Sequence, residues 1–108
     1  MPRYLVQSSY TSAAAAAFLK NPQDRVAGVR ALVEKLGGIL ETMDNCLGEY
    51  DLVAMATLPD DVTAAAMALA INSAGHISSY KTTRLMSPEE FLSAQQKAHV
   101  VTYQAPKT

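Results

Sequence analysis

The sequence predicts an α+β domain, with a four-stranded antiparallel sheet, helices on one face of it and an added C-terminal helix. Three observations predict this class. Segments that alternate in polarity, as strands do, are separated by segments with helical spacing. Glycine, proline or a capping residue marks nearly every junction between them. The 108 residues suffice for one hydrophobic core, so we expect a single domain over residues 1–108.

The composition is that of an ordinary globular domain, with 49% hydrophobic residues and a formal net charge of −1. It contains no basic block suited to phosphate groups, and no apolar run approaches the roughly 20 residues that span a bilayer. The single cysteine, Cys46, cannot form an internal disulfide and suits a reducing compartment. We therefore expect a cytoplasmic protein that binds neither nucleic acid nor membrane.

The first strand and the first helix are predicted by two adjacent patterns. Residues 3–10 place alternate side chains on opposite faces, as a strand requires. Thr11 or Ser12 can cap the helix that follows, because their side chains accept hydrogen bonds from its first turn. The alanines at positions 13–17 then have the highest helix propensity of any residue type.

A second helix is predicted immediately after the first. Pro22 ends the first helix, since proline cannot continue it, and then suits the first position of a new one capped by Asn21. Gly37-Gly38 ends this second helix, because glycine accepts the left-handed conformation found there. Its apolar residues recur at helical spacing, namely Val26, Val29, Leu32, Val33 and Leu36.

Residues 39–46 and 50–58 predict two strands of a hairpin that turns at Gly48. A tight turn there requires a positive φ, which glycine adopts without strain. Strand 50–58 is apolar on both faces, although helices can cover only one face of a four-stranded sheet. The last helix and the tail could cover the other face, but a second subunit is the more economical cover, because it removes apolar surface from water on both copies. We therefore expect a homodimer or a higher symmetric oligomer.

The remaining elements complete the predicted order. A third helix spans about 60–75, starting from an aspartate cap, and residues 76–85 predict the fourth strand. In Ser87-Pro88-Glu89-Glu90 the serine caps a last helix, the proline takes its first position and the second glutamate completes a capping box. Residues 100–103 then predict a short edge strand. The resulting order is that of the ferredoxin-like βαββαβ sandwich.

Several stretches together resemble the GYD domain proteins. They are Gly48-Glu49-Tyr50-Asp51 followed by LVAMATLPDD, the preceding DRVAGVRALVEKLGG and the following TTRLMSPEEF. The resemblance runs from Arg3 to about Pro106. It implies similarity to the dimeric α+β barrel group, in which ferredoxin-like units pair sheet to sheet, and it implies no particular activity. The family usually carries aromatic residues where this chain has Met43-Asp44-Asn45-Cys46, so we expect a wider or more polar cavity there.

Candidate catalytic groups are few. Glu49 and Asp51 lie on one side of a predicted strand, where they can form an acid–base pair or hold the turn through hydrogen bonds. Cys46 is a candidate nucleophile if the fold brings His76 or His99 to it, and otherwise a packed thiol. Metal-ligand spacings, phosphate loops and dinucleotide motifs are absent from the sequence, so we expect neither a metal nor a cofactor.

Tyrosines and one arginine predict a ligand site. Tyrosine combines an apolar ring with a polar hydroxyl, and four of the five tyrosines are placed on predicted strands. Arginine is a good fixed partner for a carboxylate, and Arg84 shares a strand face with Tyr80. Alternatively, these tyrosines pack within the sheet or at an interface. We expect a small acidic or aromatic ligand to bind near Tyr4, Ser8, Tyr50, Tyr80 and Arg84.

Three functions are consistent with these expectations. The first is a small-ligand-binding or accessory protein. The second is a cofactor-free enzyme, such as an isomerase or a monooxygenase-like protein, by analogy with the barrel group, and it requires a buried ionisable group with a shifted pKa. The third is a structural subunit of an assembly, which requires no enclosed cavity.

Overall fold

Four strands and four helices follow one another in the computed structural model of the chain, which describes residues 1–107. The strands are β1 (Arg3–Tyr10), β2 (Ile39–Asn45), β3 (Leu52–Thr57) and β4 (Ile77–Leu85). The helices are α1 (Ser12–Lys20), α2 (Val26–Lys35), α3 (Asp61–Ser73) and α4 (Pro88–His99). Within these residues, no helix is both long and apolar enough to cross a membrane.

The strands form one antiparallel sheet in the order β2–β3–β1–β4. β1 and β3 are central, and β4 lies beside β1, so that Tyr4 is opposite Arg84 and Ser8 is opposite Tyr80. Successive residues of β3 alternate between buried and half-buried, which is typical of a sheet with helices on one face. The predicted ferredoxin-like α+β sandwich is confirmed.

The helix-covered face of the sheet carries the hydrophobic core. Val33 of α2 and Met67 of α3 are at most 1% exposed and pack onto the small side chains of β3. The buried core residues are Tyr4, Val6, Val33, Leu40, Leu52, Ala54, Ala56, Leu58, Ala64 and Met67. These residues come from β1, β2, α2, α3 and β3 with the residue that follows it, and β4 packs against the core through the half-buried Tyr80.

Three helices begin at capping residues that the sequence predicts. Thr11 Oγ1 accepts a hydrogen bond at 3.2 Å from an amide in the first turn of α1, and Asp60 Oδ1 accepts one at 2.8 Å in α3. Ser87 and Glu90 form the complete capping box of α4, with bonds of 3.1 and 3.0 Å. Each cap satisfies an amide that the helix itself leaves unpaired, and each typically contributes about 1 kcal/mol.

Helix α2 begins later than predicted. Asn21 and Pro22 lie in a non-helical linker, and the first helical residue is Val26. The Asp24 carboxylate accepts a hydrogen bond from the Val26 backbone amide at 2.9 Å. A side-chain bond to the backbone two residues ahead favours a turn over a helix, which accounts for the delayed start.

The connection between β2 and β3 is a loop of residues 46–51, not a tight turn at Gly48. The Cys46 amide donates to the Asp51 carbonyl at 2.8 Å and closes this loop. Gly48 is not one of the two glycines with positive φ, so that prediction is wrong. The reversal is spread over the whole loop, so no left-handed residue is needed at Gly48. Tyr50, predicted on a strand, lies in the same loop.

The residues after α4 form no strand in the described part of the chain. The strand predicted at 100–103 is therefore wrong. Val101 instead donates from its amide to the Ala98 carbonyl at 3.1 Å, which makes a turn at the end of α4. Because α4 buries none of its residues against the sheet, it leaves this tail without a strand to pair with.

The face of the sheet opposite the helices is uncovered by any element in residues 1–107. Leu5, Val53 and Met55 are half-buried at its centre, on the two central strands. Arg3 and Glu41 form an ion pair at its border, with 3.1 Å between Nε and Oε2. This apolar centre and its polar border are called the open face below.

Candidate ligand-binding groove

Tyr4 and Arg84 meet on the covered face, as the sequence predicts, but a carboxylate lies between them. The Tyr4 hydroxyl donates to Asp61 Oδ1 at 2.6 Å, and Arg84 Nε lies 3.3 Å from the same oxygen. Burial, together with the hydrogen bond to Asp61, raises the pKa of Tyr4. The Arg84 charge is therefore already paired within the chain. A small pocket of about 250 Å³ adjoins this cluster.

The other three predicted ligand residues lie apart from that cluster. Ser8 is 3% exposed beneath the helices. Its neighbour Tyr80 has a buried hydroxyl that finds no hydrogen-bond partner among the described residues. Burial raises the pKa of Tyr80 to about 12. Tyr50 is half-buried in the 46–51 loop and lines none of the pockets described here.

A larger groove opens at the opposite end of the same sheet face, bounded by α1, α2 and α3. It consists of two adjoining parts, with volumes of about 460 and 580 Å³, that share several lining residues. Its floor is formed by Ser8, Leu52 and Met43. Small residues of the three helices line its walls and leave the space open, namely Ala14, Ala17, Gly28, Ala70 and Ala74.

Polar and aromatic groups are concentrated at the mouth of this groove. Tyr10 and Phe18 contact edge to face, with 4.9 Å between ring centroids. Burial raises the pKa of Tyr10, and the nearby Asn45 amide and Arg25 guanidinium partly offset that rise. Arg25 and Tyr10 both line the two parts of the groove. The mouth therefore combines one cation with an aromatic pair.

The Arg25 guanidinium lies close to Gly28 of α2. A Cβ atom at Gly28 would be 3.1 Å from Nη2 of Arg25, which is closer than ordinary contact. Among the described residues Arg25 forms no ion pair, in contrast to Arg3 and Arg84. Its charge is therefore not neutralised by an ion pair among the described residues and is available to a ligand.

Asp51 positions the end of β1 that carries Tyr10. Its Oδ2 accepts a hydrogen bond from the Tyr10 amide at 2.9 Å, and its own amide donates to the Ser8 carbonyl at 2.9 Å. Glu49 is exposed and contacts the strand through its carbonyl, which accepts from Ser9 Oγ at 3.3 Å. The alternative in which these acids hold the turn is confirmed for Asp51. Its carboxylate is engaged by backbone rather than paired with Glu49.

Cys46 and His76 do not share a site in the groove. His76 lines the groove near the end of α3, whereas Cys46 lies in the loop between β2 and β3 and lines neither part. In residues 1–107, no three His, Cys, Asp or Glu side chains are grouped so as to hold a metal ion.

Tyr10, Gln23 and Arg25 are groove residues that the sequence does not identify as ligand residues. By spacing alone, Arg25 is an ordinary polar residue beside the apolar stripe of α2. Gly28 is the signal that points to it, because glycine inside a helix is unfavourable by roughly 1 kcal/mol and marks a close approach. Met43 and Asn45, where the family resemblance implies aromatic residues, both line the groove.

Fold and groove together define an α+β domain with a ligand-sized opening between its helices and its sheet. The sequence profile of the GYD domain matches residues 4–94, which is most of the chain. The chain belongs to the GYD domain family.

The solved structures that are similar to this chain include the following two. One is an uncharacterized NIPSNAP domain protein from Burkholderia xenovorans, with 16% identity and a TM-score of 0.49 over 81% of this chain and 94% of that one. The other is a protein of unknown function from Nitrosomonas europaea, with 16% identity and a TM-score of 0.44 over 80% of this chain and 89% of that one. A search of curated proteins finds no match.

Proposed function

We propose that this chain is a homodimeric binding protein that holds a small acidic or aromatic ligand in the groove. One observation carries the proposal: Arg25, which forms no ion pair among the described residues, lies beside Tyr10 at the mouth of an opening of ligand size. Small-ligand sites typically measure about 300–1,000 Å³ and combine apolar walls with a few polar groups. A guanidinium binds a carboxylate or phosphate through two parallel hydrogen bonds.

The walls of the groove support a ligand with an aromatic or other apolar part. Phe18 and Tyr10 present ring edges and faces to the mouth, and Leu32 and Ile71 line the interior. Aromatic rings pack well against such a pair in offset or edge-to-face geometry. An acidic head at Arg25 and an apolar body beneath the helices would satisfy both parts of the groove.

The tyrosine pKa shifts support binding rather than proton transfer. Burial raises the pKa of Tyr4, Tyr10 and Tyr80 from an ordinary value of about 10. All three phenols are therefore protonated at neutral pH, so the one at the groove mouth acts as a hydrogen-bond donor. A general base would need a pKa near the working pH, which is a shift in the opposite direction.

The proposed dimer forms through the open face. Leu5, Val53 and Met55 would be removed from water there, and burial of apolar surface contributes about 25 cal/mol per Å². Ile39, which is 60% exposed at the sheet edge, extends the same surface. The two-fold pairing of identical faces is the commonest form of oligomer. The proposed location is the cytoplasm, where the thiol of Cys46 stays reduced.

The ligand proposal is tested by thermal shift with benzoate, 4-hydroxybenzoate, succinate and inorganic phosphate. We expect at least one of these anions to stabilise the protein, and Arg25→Gln to weaken its binding by about tenfold or more. Arg84→Gln and Arg30→Gln serve as matched controls, because Arg84 is already paired and Arg30 lines no pocket described here. Both controls should bind as the wild type does.

Two results would move or remove the site. If Arg84→Gln abolishes binding and Arg25→Gln does not, the ligand binds at the Tyr4–Arg84 cluster. If every anion stabilises all variants equally, binding is non-specific and the proposal fails. Titration calorimetry at two salt concentrations separates a specific anion site from general screening, because exposed charges are screened within about 10 Å at 0.1 M salt.

The dimer proposal is tested separately with Met55→Lys, which places a charge at the centre of the open face. We expect a dimeric wild type and a monomeric or insoluble variant, because an unpaired charge in an interface is strongly unfavourable. Val62→Lys is the control, since Val62 is 79% exposed on α3. A soluble Met55→Lys protein with the mass of the wild-type assembly would contradict a dimer through this face.

A further inference from the structure

Ser8 is the one polar residue that is buried in the described part of the chain, residues 1–107. It is 3% exposed, and the side chains buried with it are hydrophobic. A buried hydroxyl costs free energy unless it forms a hydrogen bond, and buried polar groups in proteins are nearly always bonded. A partner for the Ser8 hydroxyl is therefore to be expected.

The described chain itself supplies no partner for this hydroxyl. None of the side-chain hydrogen bonds among residues 1–107 involves it. Tyr80 lies directly across from Ser8 on β4, but its own hydroxyl is buried without a partner, so the two do not pair. On the other side, Ser8 is opposite Leu52 of β3, whose side chain has no polar atom. The hydroxyl of Ser8 is thus free to bind a group from outside the chain.

Ser8 lies where a ligand in the groove can reach it. It lines the part of about 460 Å³ beneath the helices and not the part of about 580 Å³, whereas Arg25 lines both. The surroundings of Ser8 are mostly apolar, with Leu52 in the floor and Ala14 and Ile71 in the walls. A few polar groups in an apolar surface are what fixes the orientation of a ligand in a small-molecule site.

The strand sets the distance between Ser8 and the mouth of the groove. Tyr10, at the mouth, is two residues further along the same face of β1, and two residues of a strand rise about 7 Å. β1 pairs with a strand on each side, and the Asp51 amide donates to the Ser8 carbonyl at 2.9 Å, so this position is held firmly. A ligand that contacts both positions needs two polar groups separated by about the length of a benzene ring.

We infer that the ligand of the groove is an aromatic acid with a hydroxyl group para to its carboxylate, an inference that rests on the binding function proposed above. Its carboxylate binds Arg25, its ring packs beside Phe18 and Tyr10, and its hydroxyl forms a hydrogen bond with Ser8 Oγ. A serine hydroxyl both donates and accepts, so it can pair with a phenol in either direction. Ser8 is then the residue that distinguishes a hydroxylated ring from a plain one.

The test compares benzoate, 4-methylbenzoate and 4-hydroxybenzoate, which differ only at the position para to the carboxylate. Methyl and hydroxyl groups are similar in size, so the ratio of the last two Kd values reports the hydrogen bond rather than the filled volume. We expect the wild type to bind 4-hydroxybenzoate at least about tenfold more tightly than 4-methylbenzoate, because a site that hydrogen-bonds a ligand hydroxyl discriminates against an analogue without it. Ser8→Ala should bring this ratio to about one and leave the Kd of benzoate unchanged.

Ser9→Ala is the matched control for this substitution. Ser9 is the neighbouring serine on the opposite face of β1, it lines no pocket described here, and its hydroxyl donates to the Glu49 carbonyl at 3.3 Å. This variant should keep the wild-type ratio. Arg25→Gln should weaken the binding of all three acids by about the same factor and also keep the ratio, because Arg25 and Ser8 bind opposite ends of the ligand.

The melting temperature of the ligand-free protein is a second measurement. Ser8→Ala should melt at the wild-type temperature or above it, because alanine removes a hydroxyl that has no partner in the described chain. A clearly lower melting temperature would mean that the hydroxyl is bonded within the chain, which overturns the inference.

The binding data separate the inference from the proposed function. A ratio near one in the wild type, or a wild-type ratio retained in Ser8→Ala, overturns the inference alone, provided that Arg25→Gln still weakens binding. Binding of succinate or phosphate at Arg25 without binding of any aromatic acid has the same meaning. If no anion binds, or if Arg25→Gln leaves every Kd unchanged, the proposed function fails and the inference fails with it.

Discussion

Tyr4 and Tyr10 lie on the same face of β1, at its two ends, yet their surroundings differ. Tyr4 is 1% exposed and donates to Asp61 beside Arg84, which closes that end of the face. Tyr10 is half-buried where α1 and α2 leave a groove, and the cation beside it is Arg25. Both ends therefore contain a tyrosine, an arginine and a carboxylate, but only at the Tyr4 end does the carboxylate form an ion pair with the arginine.

The comparison shows that what the neighbouring carboxylates bind decides whether an arginine is available. Asp61 pairs with Arg84. Asp24 and Asp51 instead accept hydrogen bonds from backbone amides. The Arg84–Asp61 pair is exposed, at 43% and 74% of the two side chains, and such pairs contribute roughly 0–1 kcal/mol to stability. Even so, the pair neutralises the Arg84 charge that an acidic ligand would otherwise bind. Ligand binding at the Tyr10 end therefore depends on Arg25 having no ion-pair partner among the described residues, since the carboxylate of Asp24 beside it accepts from a backbone amide.

The largest expected difference between the two ends concerns stability. Tyr4→Ala removes a fully buried ring, so we expect it to lower the free energy of unfolding by about 3–5 kcal/mol. Tyr10→Ala removes a half-buried ring at a groove that is already open, and should lower it by less than half as much. Urea denaturation monitored by circular dichroism measures both. Equal losses would mean that the groove end is as tightly packed as the Tyr4 end.

Tyr80, opposite Ser8 between the two ends, predicts a pH dependence. Its pKa is about 12 in the folded chain and about 10 when unfolded, so the folded state holds its proton more tightly. Stability from this group is complete below pH 10 and is lost as the pH rises to 12, by about 1–2 kcal/mol after allowing for partial exposure.

Tyr80→Phe should remove that alkaline loss, as measured by urea denaturation between pH 8 and pH 11. At neutral pH it should be neutral or stabilising, because the hydroxyl finds no partner among the described residues. Tyr103→Phe is the control, since Tyr103 is 81% exposed. A wild-type pH dependence in Tyr80→Phe would place the alkaline loss elsewhere, and a clear destabilisation at neutral pH would indicate a hidden hydrogen bond.

A smaller effect is expected where the 46–51 loop holds the Tyr10 end. Asp51→Ala leaves the Tyr10 amide without its 2.9 Å hydrogen bond, which should cost about 1–2 kcal/mol and weaken ligand binding in the groove. Glu49→Ala should change neither quantity, because that carboxylate is exposed and the carbonyl contact with Ser9 remains. If both substitutions act equally on binding, the two acids work as a pair and Asp51 has more than a structural role.

The smallest expected effect is that of Gly48→Ala in the same loop. A Cβ atom there would meet no heavy atom within 4 Å, and the backbone has no positive φ. Replacing glycine at such a position reduces the freedom of the unfolded chain and stabilises by about 0.4–1 kcal/mol at most. The midpoint of chemical denaturation measures this. A loss of stability would show that the loop needs a conformation only glycine adopts.

The fold was accessible from the sequence because its signals are local. The caps at Thr11, Asp60 and Ser87 and the alternation of β1 each depend on a few neighbouring residues. The start of α2 was not predictable in this way, because Asp24 and Asn21 are both residue types that commonly begin a helix. The sequence does not show which of the two does so. The prediction of a tight turn at Gly48 was wrong for a related reason, because glycine permits a positive φ without requiring it.

The candidate site was harder to predict because it depends on distances between remote segments. Asp61 lies 57 positions from Tyr4 in the sequence, and no local pattern shows that its carboxylate forms an ion pair with Arg84. The neighbouring strands did correctly bring Tyr4 beside Arg84 and Ser8 beside Tyr80. What sheet order cannot supply is the spacing of the helices above it. That spacing opens the groove at Tyr10 and Arg25.

Gly28 has a consequence for anyone engineering this protein. An alanine at this exposed position in α2 would raise helix propensity by about 1 kcal/mol, and so would be a natural choice in a programme of thermostabilisation. The same methyl group would be 3.1 Å from Nη2 of Arg25, so the guanidinium would have to shift by a few tenths of an ångström. A search guided by melting temperature alone would not register this shift in the side chain that gives the groove its charge, so ligand binding has to be measured beside it.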